Sequence, residues 1–341
     1  MKTLAELAPW LTHPRRIAVT HHYHPDADAL GATLGLCHYL RRKGHTCKVI
    51  SPDALPAFLH WMPDAWSVWI YEQRPEEADA WLQECDAVFC LDYNQLSRTH
   101  AMAPSLERFK GLRILMDHHL FPDPVFDYGL SDTHKSSTCE MVYDYINACG
   151  DNAMIDMDIA QCLYAGVMTD TGSFKFPCTT PGVHRLVADL MEKGLDTSAV
   201  HLAIFDTYEE NRLRFLGFVL GEKMKIYPES HTALIAVTRE ESDRFHLKPG
   251  DTEGIVNYPL SLKNMVFSVF INEKEEGIRI SFRSKGSFNV NEFARTFFEG
   301  GGHSNAAGGK SSRSMTETLQ AFDQHVQQVQ PQLLQCYEEL I

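Results

Sequence analysis

Short apolar runs alternate with segments of helical pattern along the first half of the chain. Four runs of four or five residues have the length and composition of buried strands, at residues 16–20, 47–50, 87–91 and 112–116. Helical patterns follow or separate them, at residues 29–42, 76–84, 139–149, 155–169 and 183–194. Because strands that alternate with helices usually pair in parallel, this half of the chain predicts a doubly wound, mostly parallel α/β sheet.

The pattern changes to hairpins in the second half of the chain. Strands are predicted at residues 232–238, 266–271 and 278–283, followed by a short helix at 290–298. A last helix opens at Ser314, which forms a capping-box pattern with Glu317. We therefore predict a first domain over residues 1–196, a helical connector over 197–225 and a smaller α+β domain over 226–341.

Composition and charge narrow the class of protein. A chain of 341 residues with 44% hydrophobic content is long enough for two globular domains. The net charge of −14 argues against a surface for long duplex nucleic acid, which needs a basic stripe. It allows a short phosphorylated substrate, because bound metal ions invert the local field of an acidic site.

Cysteine usage and hydropathy indicate a cytoplasmic protein. Nine cysteines are scattered along the chain, their number is odd, and none forms a CxxC pair. This distribution is typical of reduced thiols in a cytosolic protein. No stretch approaches the ~20 apolar residues that a membrane-spanning helix needs, so we expect no membrane association.

Acidic residues and histidines follow several of the apolar segments. They are His22, Asp26 and Asp28 after the first run, Asp92 after the third, Asp117, His118 and His119 after the fourth, and Asp170 after the apolar stretch 162–168. Ligands bind beyond the carboxyl ends of the strands in doubly wound sheets, so these side chains should meet at one edge. Carboxylates with a few imidazoles suit Mn²⁺ or Mg²⁺, and two such ions ~4 Å apart need a shared anion. Asp92 is the candidate for that bridge.

Each of these residues also has a plainer interpretation. Asp26 and Asp28 are placed to favour a helix N-terminus, and Asp170 is placed to end a helix. His22 alone is typical of a loop histidine, and Asp117 is placed to orient a neighbouring histidine. It is the recurrence of such residues in four segments that favours a metal site.

A glycine-rich segment near the end of the chain suggests an anion-binding loop. Residues 300–309 hold five glycines around His303, and backbone N–H groups can approach an anion closely where side chains are small. Arg283 and Lys285 lie at the end of the preceding hairpin and could bind phosphate. A flexible turn and solvated strand-end charges are the alternatives.

Taken together, these segments resemble the DHH phosphoesterase superfamily from about residue 17 to residue 310. The order of motifs resembles its nanoRNase/pAp-phosphatase branch, which carries a DHH-associated C-terminal domain. The family pattern HxxPDxD is matched by His22, Pro25, Asp26 and Asp28. The chain departs from it with His24 where many members have Asn and Ala27 where many have Gly, and with Tyr93-Asn94 after Asp92.

The resemblance implies a role for each candidate residue. One metal would be held by His22, Asp26 and Asp92, and the other by Asp28, Asp92, His118 and Asp170. The catalytic set would be His119, His118 and Asp117, with His119 facing the scissile phosphate. The substrate would be bound by Arg283, Lys285, Gly301, Gly302 and His303. The cofactors would be two divalent ions, Mn²⁺ ahead of Mg²⁺ or Co²⁺.

The resemblance also implies the reaction. We expect hydrolysis of short oligoribonucleotides (nanoRNA), of 3′-phosphoadenosine 5′-phosphate (pAp) or of both, by water that two metals activate for attack on phosphorus. The alternatives are an exopolyphosphatase or inorganic pyrophosphatase, a cyclic-dinucleotide phosphodiesterase, and a nucleotide sensor without turnover. RecJ exonucleases, which act on longer DNA, carry additional domains. A homodimer is a further expectation, and Phe174, Phe176 and Tyr258 are candidates for stacking a base, with core packing as the alternative.

Overall fold

The computed structural model describes residues 1–207, 209–248 and 250–341. It separates into two compact units, Met1–Thr207 and Tyr208–Ile341. The division falls inside the segment 197–225 that the sequence predicts as a connector.

The first unit is built on a six-stranded, wholly parallel sheet. Its strands are β1 (Arg16–Thr20), β2 (Thr46–Ser51), β3 (Trp69–Ile70), β4 (Ala87–Leu91), β5 (Leu112–Asp117) and β6 (Tyr128–Ser131). They lie in the order β3-β2-β1-β4-β5-β6, and every neighbouring pair is parallel. The predicted doubly wound, mostly parallel fold is therefore confirmed.

Helices cover both faces of this sheet. They are α1 (Leu4–Leu7), α2 (Ala27–Arg42), α3 (Pro75–Gln83), α4 (Ala103–Arg108), α5 (Thr138–Ala148), α6 (Met157–Asp170), α7 (Pro181–Glu192) and α8 (Thr197–Phe205). One apolar cluster joins β1, β4 and β5 to α2, α5 and α6, and a second joins the other face to α3 and α4. Burial on both faces explains why the central strands are almost continuously apolar.

Helices α2 and α6 approach each other closely because glycines line their contact. A Cβ atom on Gly31 would lie 2.3 Å from the carbonyl oxygen of Cys162, and one on Gly166 would lie 2.6 Å from Oδ1 of Asp28. Real Cβ atoms do not come this close, so only glycine allows this approach. The contact brings the first turn of α2 against the last turns of α6.

The strand order reverses direction at β1. The chain passes from β1 to β2 on one side, whereas β4 pairs with β1 on the other. In open α/β sheets the crevice beyond the carboxyl ends of two such strands is the usual ligand site. The segments after β1 and β4 begin with His21 and Asp92, so the acidic clusters lie at this crevice.

The second unit contains a mixed six-stranded sheet. Its strands are β7 (Met224–Tyr227), β8 (Thr232–Val237), β9 (Phe267–Lys274), β10 (Gly277–Ser284), β11 (Gly301–Gly302) and β12 (Ala306–Ser311), and its helices are α9 (Glu210–Phe218), α10 (Arg239–Asp243), α11 (Val290–Phe297) and α12 (Met315–Leu340). The order is β11-β12-β10-β9-β8-β7, with β8 and β9 parallel and all other pairs antiparallel. The predicted α+β class is confirmed, and so is the capping box of α12 at Ser314 and Glu317.

Two local predictions for this unit are wrong. The segment predicted as wholly helical up to residue 225 ends in strand β7, because Met224 to Tyr227 pair with β8. The glycine-rich segment is a β-hairpin of β11 and β12 instead of an open loop. A Cβ on Gly300 would lie 2.0 Å from the carbonyl oxygen of Gly308, so the glycines serve the close approach of backbone to backbone.

Within the described ranges, no helix combines the length and the apolar character that crossing a membrane would require.

Candidate metal centre

The loop between β1 and α2 brings His22 and Asp26 together. Asp26 caps α2, since its Oδ1 accepts hydrogen bonds from the backbone N–H groups of Asp28 (3.0 Å) and Ala29 (2.9 Å). Its Oδ2 lies 3.9 Å from Nε2 of His22, and 56% of the side chain is exposed. The helix-cap interpretation is therefore correct for one oxygen of Asp26, while the other oxygen faces the histidine.

His22 presents Nε2 to the acidic cluster. Its Nδ1 lies 2.9 Å from the carbonyl oxygen of Tyr23, which fixes the proton on Nδ1 and leaves Nε2 as the lone-pair nitrogen of the neutral ring. Nε2 lies 3.3 Å from Oδ2 of Asp92. Burial opposes the charged ring, but the hydrogen bond of Asp92 and the charges of Asp26 and Asp92 outweigh it and raise the pKa of His22.

Asp28 is buried in the first turn of α2 and lies against the N-terminus of α5. Its Oδ2 accepts a hydrogen bond from the N–H of Thr138 (2.6 Å), and its Oδ1 accepts one from the N–H of Cys139 (2.8 Å). These amides and the helix dipole favour a carboxylate there. Burial, followed by the charge of Asp92, nevertheless raises the pKa of Asp28 to about 7.

Asp92 stands between the two histidines. Its Oδ2 faces His22, and its Oδ1 lies 3.3 Å from Nε2 of His118 and accepts a hydrogen bond from Oγ1 of Thr138 (3.0 Å). Burial opposes ionisation, but the hydrogen bonds of His118 and His22 hold the pKa of Asp92 well below its usual range. The residue is left-handed, with φ of +61°, a strained conformation that concentrates at functional sites.

His118 joins the remaining acids. Its Nδ1 lies 3.3 Å from the carbonyl oxygen of Lys135, while Nε2 lies 3.5 Å from Oδ2 of Asp170 and 3.8 Å from Oδ2 of Asp28. Burial opposes its charged form, yet the hydrogen bond and charge of Asp92 raise the pKa of His118 well above its usual value. Burial and the charge of Asp28 raise the pKa of Asp170.

Asp117 orients His119. The fully buried carboxylate accepts hydrogen bonds at Oδ1 from Nδ1 of His119 (2.8 Å) and at Oδ2 from the backbone N–H of His119 (3.1 Å). Nδ1 of His119 also lies 3.7 Å from Oδ1 of Asp92. With Nδ1 held in this way, Nε2 is the ring nitrogen directed away from Asp117.

These donors form overlapping sets that fit divalent metal ions. Within the first unit, three groups each offer ligand atoms within 4.8 Å of one another: His22, Asp26 and Asp92; Asp28, Asp92 and His118; and Asp92, Asp117 and His119. Asp92 belongs to all three, and Asp170 adjoins the second group through His118. Burial and the charge of Asp92 both raise the pKa of Asp28, and bound divalent cations would offset both effects. Oxygen ligands with single imidazoles are the donors that Mn²⁺ and Mg²⁺ accept.

The predicted substrate residues lie at one end of the second unit's sheet. Arg283 pairs with Ala306 across β10 and β12, and Gly302 pairs with Ala307 across the glycine hairpin. The backbone N–H of Gly302 donates to Oδ1 of Asn291 (3.0 Å), and that of His303 donates to the carbonyl oxygen of Ala306 (2.7 Å). These two amides are engaged within the unit.

The other substrate candidates also carry contacts inside this unit. Nη1 of Arg283 donates to the carbonyl oxygen of Phe282 (3.0 Å), and Nζ of Lys285 donates to that of Leu262 (3.4 Å). Gly301 lies in β11 beside Asn291, whose Oδ1 would be 3.5 Å from a Cβ on that glycine. Arg283 and Lys285 are cationic side chains at this end of the unit, and Arg295 lies there as well, with its Cγ 4.0 Å from a Cβ on Gly301.

The residues that hold the ligands in place were not predicted from the sequence. Thr138 and Cys139 bind Asp28 and Asp92 from 46 to 111 positions away in the chain. The only local signal was the pattern Ser137-Thr138-Cys139-Glu140, an N-cap signature, which marks the start of α5 at Thr138. Glu140 also accepts hydrogen bonds from the N–H and the hydroxyl of Ser136 (2.8 and 2.7 Å), which orders the turn before the helix.

Tyr93 and Asn94, where the chain departs from the motif pattern, connect neighbouring segments of the site. The Tyr93 hydroxyl lies 2.7 Å from Oγ1 of Thr20 at the end of β1. The Asn94 side chain donates a hydrogen bond to the carbonyl oxygen of Leu120. The backbone carbonyl oxygen of Asn94 accepts a hydrogen bond from the backbone N–H of Asp123 (2.8 Å). Asn94 thus joins the segment after β4 to the segment that follows the two histidines.

Comparison with known proteins adds two domain matches and several relatives. Residues 16–167 match the DHH family, N-terminal domain, and residues 232–330 match the DHHA1 domain. The bifunctional oligoribonuclease and PAP phosphatase NrnA of Thermus thermophilus is 29% identical over 313 residues, covering 90% of this chain and 87% of the relative. The protein of the same name from Bacillus subtilis is 27% identical over 297 residues, covering 86% and 88%. The crystal structure of an exopolyphosphatase-related protein from Bacteroides fragilis is 38% identical, covers 97% of both chains and superposes with a TM-score of 0.93.

Proposed function

Because this chain belongs to the DHH family, with a DHH N-terminal domain and a DHHA1 domain, we propose that it is a divalent-metal-dependent phosphoesterase that hydrolyses short oligoribonucleotides and pAp. The shared position of Asp92 carries the proposal. One oxygen of this carboxylate faces His22 and the other faces His118, so a single anion serves two donor sets. A bridging carboxylate of this kind is typical of sites that clamp a phosphoryl group between two ions.

Two ligand sets are proposed around Asp92. His22 and Asp26 would complete the first, and Asp28, His118 and Asp170 would complete the second. Bound divalent ions, with Mn²⁺ proposed ahead of Mg²⁺ and Co²⁺, would polarise the phosphoryl oxygens and activate water for in-line attack on phosphorus. The hydrogen bonds from Thr138 and Cys139 hold Asp28 in place, and the Lys135 carbonyl orients His118.

His119 is proposed to assist the leaving group. Asp117 accepts a hydrogen bond from Nδ1–H of His119 and fixes the ring, so that Nε2 is the atom at which a proton can be held or delivered. A proton donated from Nε2 to the departing oxygen would neutralise the charge that develops there. Asp117 acts in this step through His119 as a positioning residue.

The substrate class is supported by the relatives and by the charge of this chain. The NrnA proteins of Thermus thermophilus and Bacillus subtilis are named as oligoribonucleases and PAP phosphatases. A net charge of −14 suits a substrate with few phosphates better than long nucleic acid. Arg283, Lys285, Gly301, Gly302 and His303 are proposed to bind the substrate, with the two cations pairing with phosphate oxygens.

Hydrolysis of polyphosphate is the second candidate activity. It is favoured by the Bacteroides fragilis protein, which is described as exopolyphosphatase-related and is 38% identical to this chain. The same ligand sets could cleave a phosphoanhydride, so the choice depends on what contacts the part of the substrate beyond the phosphate.

The proposed activity is tested by following phosphate and mononucleotide release from pAp, a 5′-labelled diribonucleotide and polyphosphate, with Mn²⁺, Mg²⁺, Co²⁺ or EDTA. Asp92→Asn tests the bridge, and Asp158→Asn, an exposed acid of the first turn of α6, is the matched control. Metal-dependent turnover of the nucleotides that Asp92→Asn abolishes supports the proposal. Turnover of polyphosphate alone would replace it with phosphoanhydride hydrolysis. Inactivity on all three substrates, with nucleotide binding in calorimetry, would favour a sensor.

A cytoplasmic location is proposed from the cysteines. All nine are free thiols in the structure. Reduced cysteines in this number are typical of a reducing compartment. The homodimer stays a prediction, which light scattering after size-exclusion chromatography tests.

A further inference from the structure

We propose that Phe121 is the surface on which a nucleobase of the substrate stacks, and that this side chain favours nucleotides over inorganic phosphate chains. The inference rests on the proposed function, because it concerns how the same site selects its substrate. Phe121 does not belong to any of the motifs described above.

Phe121 is exposed and lies close to the reacting groups. Its side chain is 64% exposed, which is unusual for a residue of this size and apolarity. Only Leu120 separates it from His119, so the two Cα atoms are at most ~7 Å apart. A single nucleotide whose phosphate lies at the ligand sets can span this distance with its base.

The segment that carries Phe121 is fixed on both sides. The side chain of Asn94 donates a hydrogen bond to the carbonyl oxygen of Leu120, and the backbone carbonyl oxygen of Asn94 accepts one from the N–H of Asp123. On the side towards the site, Asp117 binds the backbone N–H and the ring of His119. The ring therefore projects from an ordered backbone, as a stacking surface requires.

The backbone at Phe121 argues against a purely structural role. Its φ is +65°, in the left-handed region that bulky residues rarely adopt. Because the residue is 64% exposed, burial of apolar surface contributes little to offset that conformational cost. Phe174 shares this conformation, with φ of +66°, but its ring packs against the core, so what sets Phe121 apart is its exposed ring beside the site.

The other aromatic candidates are less suitable. Phe174 is half-buried and packs at 6.1 Å from the ring of Tyr164 and 5.8 Å from that of His184, so it belongs to the core. Phe176 is 40% exposed but lies across the backbone of Gly172, where a Cβ would be 2.6 Å from its Cζ. Tyr258 lies in the second unit, in the 3₁₀ helix Ile255–Ser261, and is 44% exposed.

Stacking on an aromatic ring suits the substrates proposed above. Every base has a π face, so the interaction is tolerant of sequence, and its loss typically reduces binding about 5- to 150-fold per base. A polyphosphate chain has no such face and gains nothing from the ring. Phe121 would thus separate the two candidate activities that the metal ligands alone cannot distinguish.

The test compares substrates that differ only in a base. kcat and KM are measured with a 5′-phosphorylated diadenylate and with two analogues in which one or the other adenine is replaced by hydrogen. The variants are Phe121→Ala, Phe121→Leu, Phe121→Trp and Phe176→Ala. Ala and Leu keep a non-glycine residue in the left-handed backbone, so they change the ring and leave that conformational cost in place. Trp66→Ala, which removes an 86% exposed aromatic ring elsewhere in the unit, is the control.

We expect Phe121→Ala and Phe121→Leu to lower kcat/KM for the diadenylate relative to one abasic analogue about 5- to 150-fold, mainly through KM. Phe121→Trp should restore the ratio, and Trp66→Ala should leave it unchanged. The inference is overturned if the ratio is unaffected by Phe121→Ala, or if Phe176→Ala lowers it instead. Wild-type protein that does not cleave the diadenylate at all would refute the proposed function itself, which keeps the two failures distinct.

Discussion

Asp28 and Thr138 are 110 positions apart in the chain, yet Oδ2 of the carboxylate lies 2.6 Å from the backbone nitrogen of the threonine. The neighbouring amide of Cys139 binds the other oxygen at 2.8 Å. The start of α5 thus holds a side chain of α2 in place, although burial disfavours the charge on that side chain. A buried carboxylate of this kind is readily protonated, and a binding cation would displace its proton into water.

The first prediction concerns the pH dependence of the metal-free protein. The pKa of Asp28 is about 7 in the fold, against about 3.9 for an unfolded aspartate. A carboxyl with a raised pKa stabilises the fold fully below the unfolded pKa, and this contribution is lost as the pH rises through about 7. His118, whose pKa is also raised despite its burial, loses its contribution as the pH rises through its folded pKa. The free energy of unfolding in EDTA should therefore fall between pH 5 and pH 8.

Urea denaturation checks this prediction by tryptophan fluorescence, because all five tryptophans lie in the first unit. Asp28→Asn removes one of the titrating groups and should flatten the profile, whereas Asp158→Asn should not. Because ligands must be deprotonated, Mn²⁺ affinity measured by calorimetry should rise over the same pH range. A stability that increases from pH 5 to pH 8 in EDTA would contradict the assignment.

The second prediction separates the charge of Asp92 from its backbone. Asp92→Asn loses the charge that His118 and His22 stabilise, but asparagine tolerates the left-handed region better than alanine, so its backbone adds no further loss of stability. Asp92→Ala should lose an additional ~1 kcal/mol of unfolding free energy. Both variants should lower kcat by at least about 10³-fold, because the shared anion is gone. Single-turnover assays and urea denaturation measure the two effects, and more than a tenth of wild-type activity in Asp92→Asn would refute the bridging role.

The third prediction concerns Asp117 and His119. In Asp117→Asn the side-chain amide can no longer accept both hydrogen bonds as a carboxylate does, so the ring loses its fixed orientation and tautomer. We expect kcat to fall about 10²- to 10⁴-fold, while KM changes little. Mn²⁺ affinity should change less than tenfold, which calorimetry can verify. If metal affinity collapses together with kcat, Asp117 is a ligand and does not act by positioning His119.

The fourth prediction tests the contact of α2 with α6. Gly31→Ala places a methyl group where the Cys162 carbonyl lies, so the helices must move apart. We expect a loss of ~1–3 kcal/mol of unfolding free energy, and weaker Mn²⁺ binding because α2 carries Asp28 and α6 ends at Asp170. Gly217→Ala is the matched control, because no atom lies within 4 Å of the added Cβ and alanine has a higher helix propensity than glycine within α9. Equal stability of the two variants would contradict close packing at Gly31.

The sequence predicts the central part of the fold because the signal there is local. β1, β2, β4 and β5 are buried on both faces and so appear as apolar runs. The edge strands β3 and β6 are only two and four residues long and mostly half-buried, so each is too short to show the periodicity of a strand. The glycine hairpin has no apolar alternation, because its strands pack backbone against backbone.

The ligands follow from the sequence for a similar reason, whereas their supports do not. His22, Asp92 and His118 are recognisable because parallel strands end at one edge of a sheet. The hydrogen bonds of Thr138 and Asn94 connect segments that only the folded topology brings together. Phe121 carries no motif, and only its exposure and its backbone conformation make it notable.

The divided role of Asp26 has a consequence for exchange of whatever cation binds there. One oxygen caps α2 through the N–H groups of Asp28 and Ala29, and the other faces His22. A chelator that strips the cation leaves the cap in place, so the helix need not fray when the ion departs. A new cation would then bind to a preformed site, quickly and without a refolding lag. One enzyme sample could therefore be switched repeatedly between metals in the same cuvette.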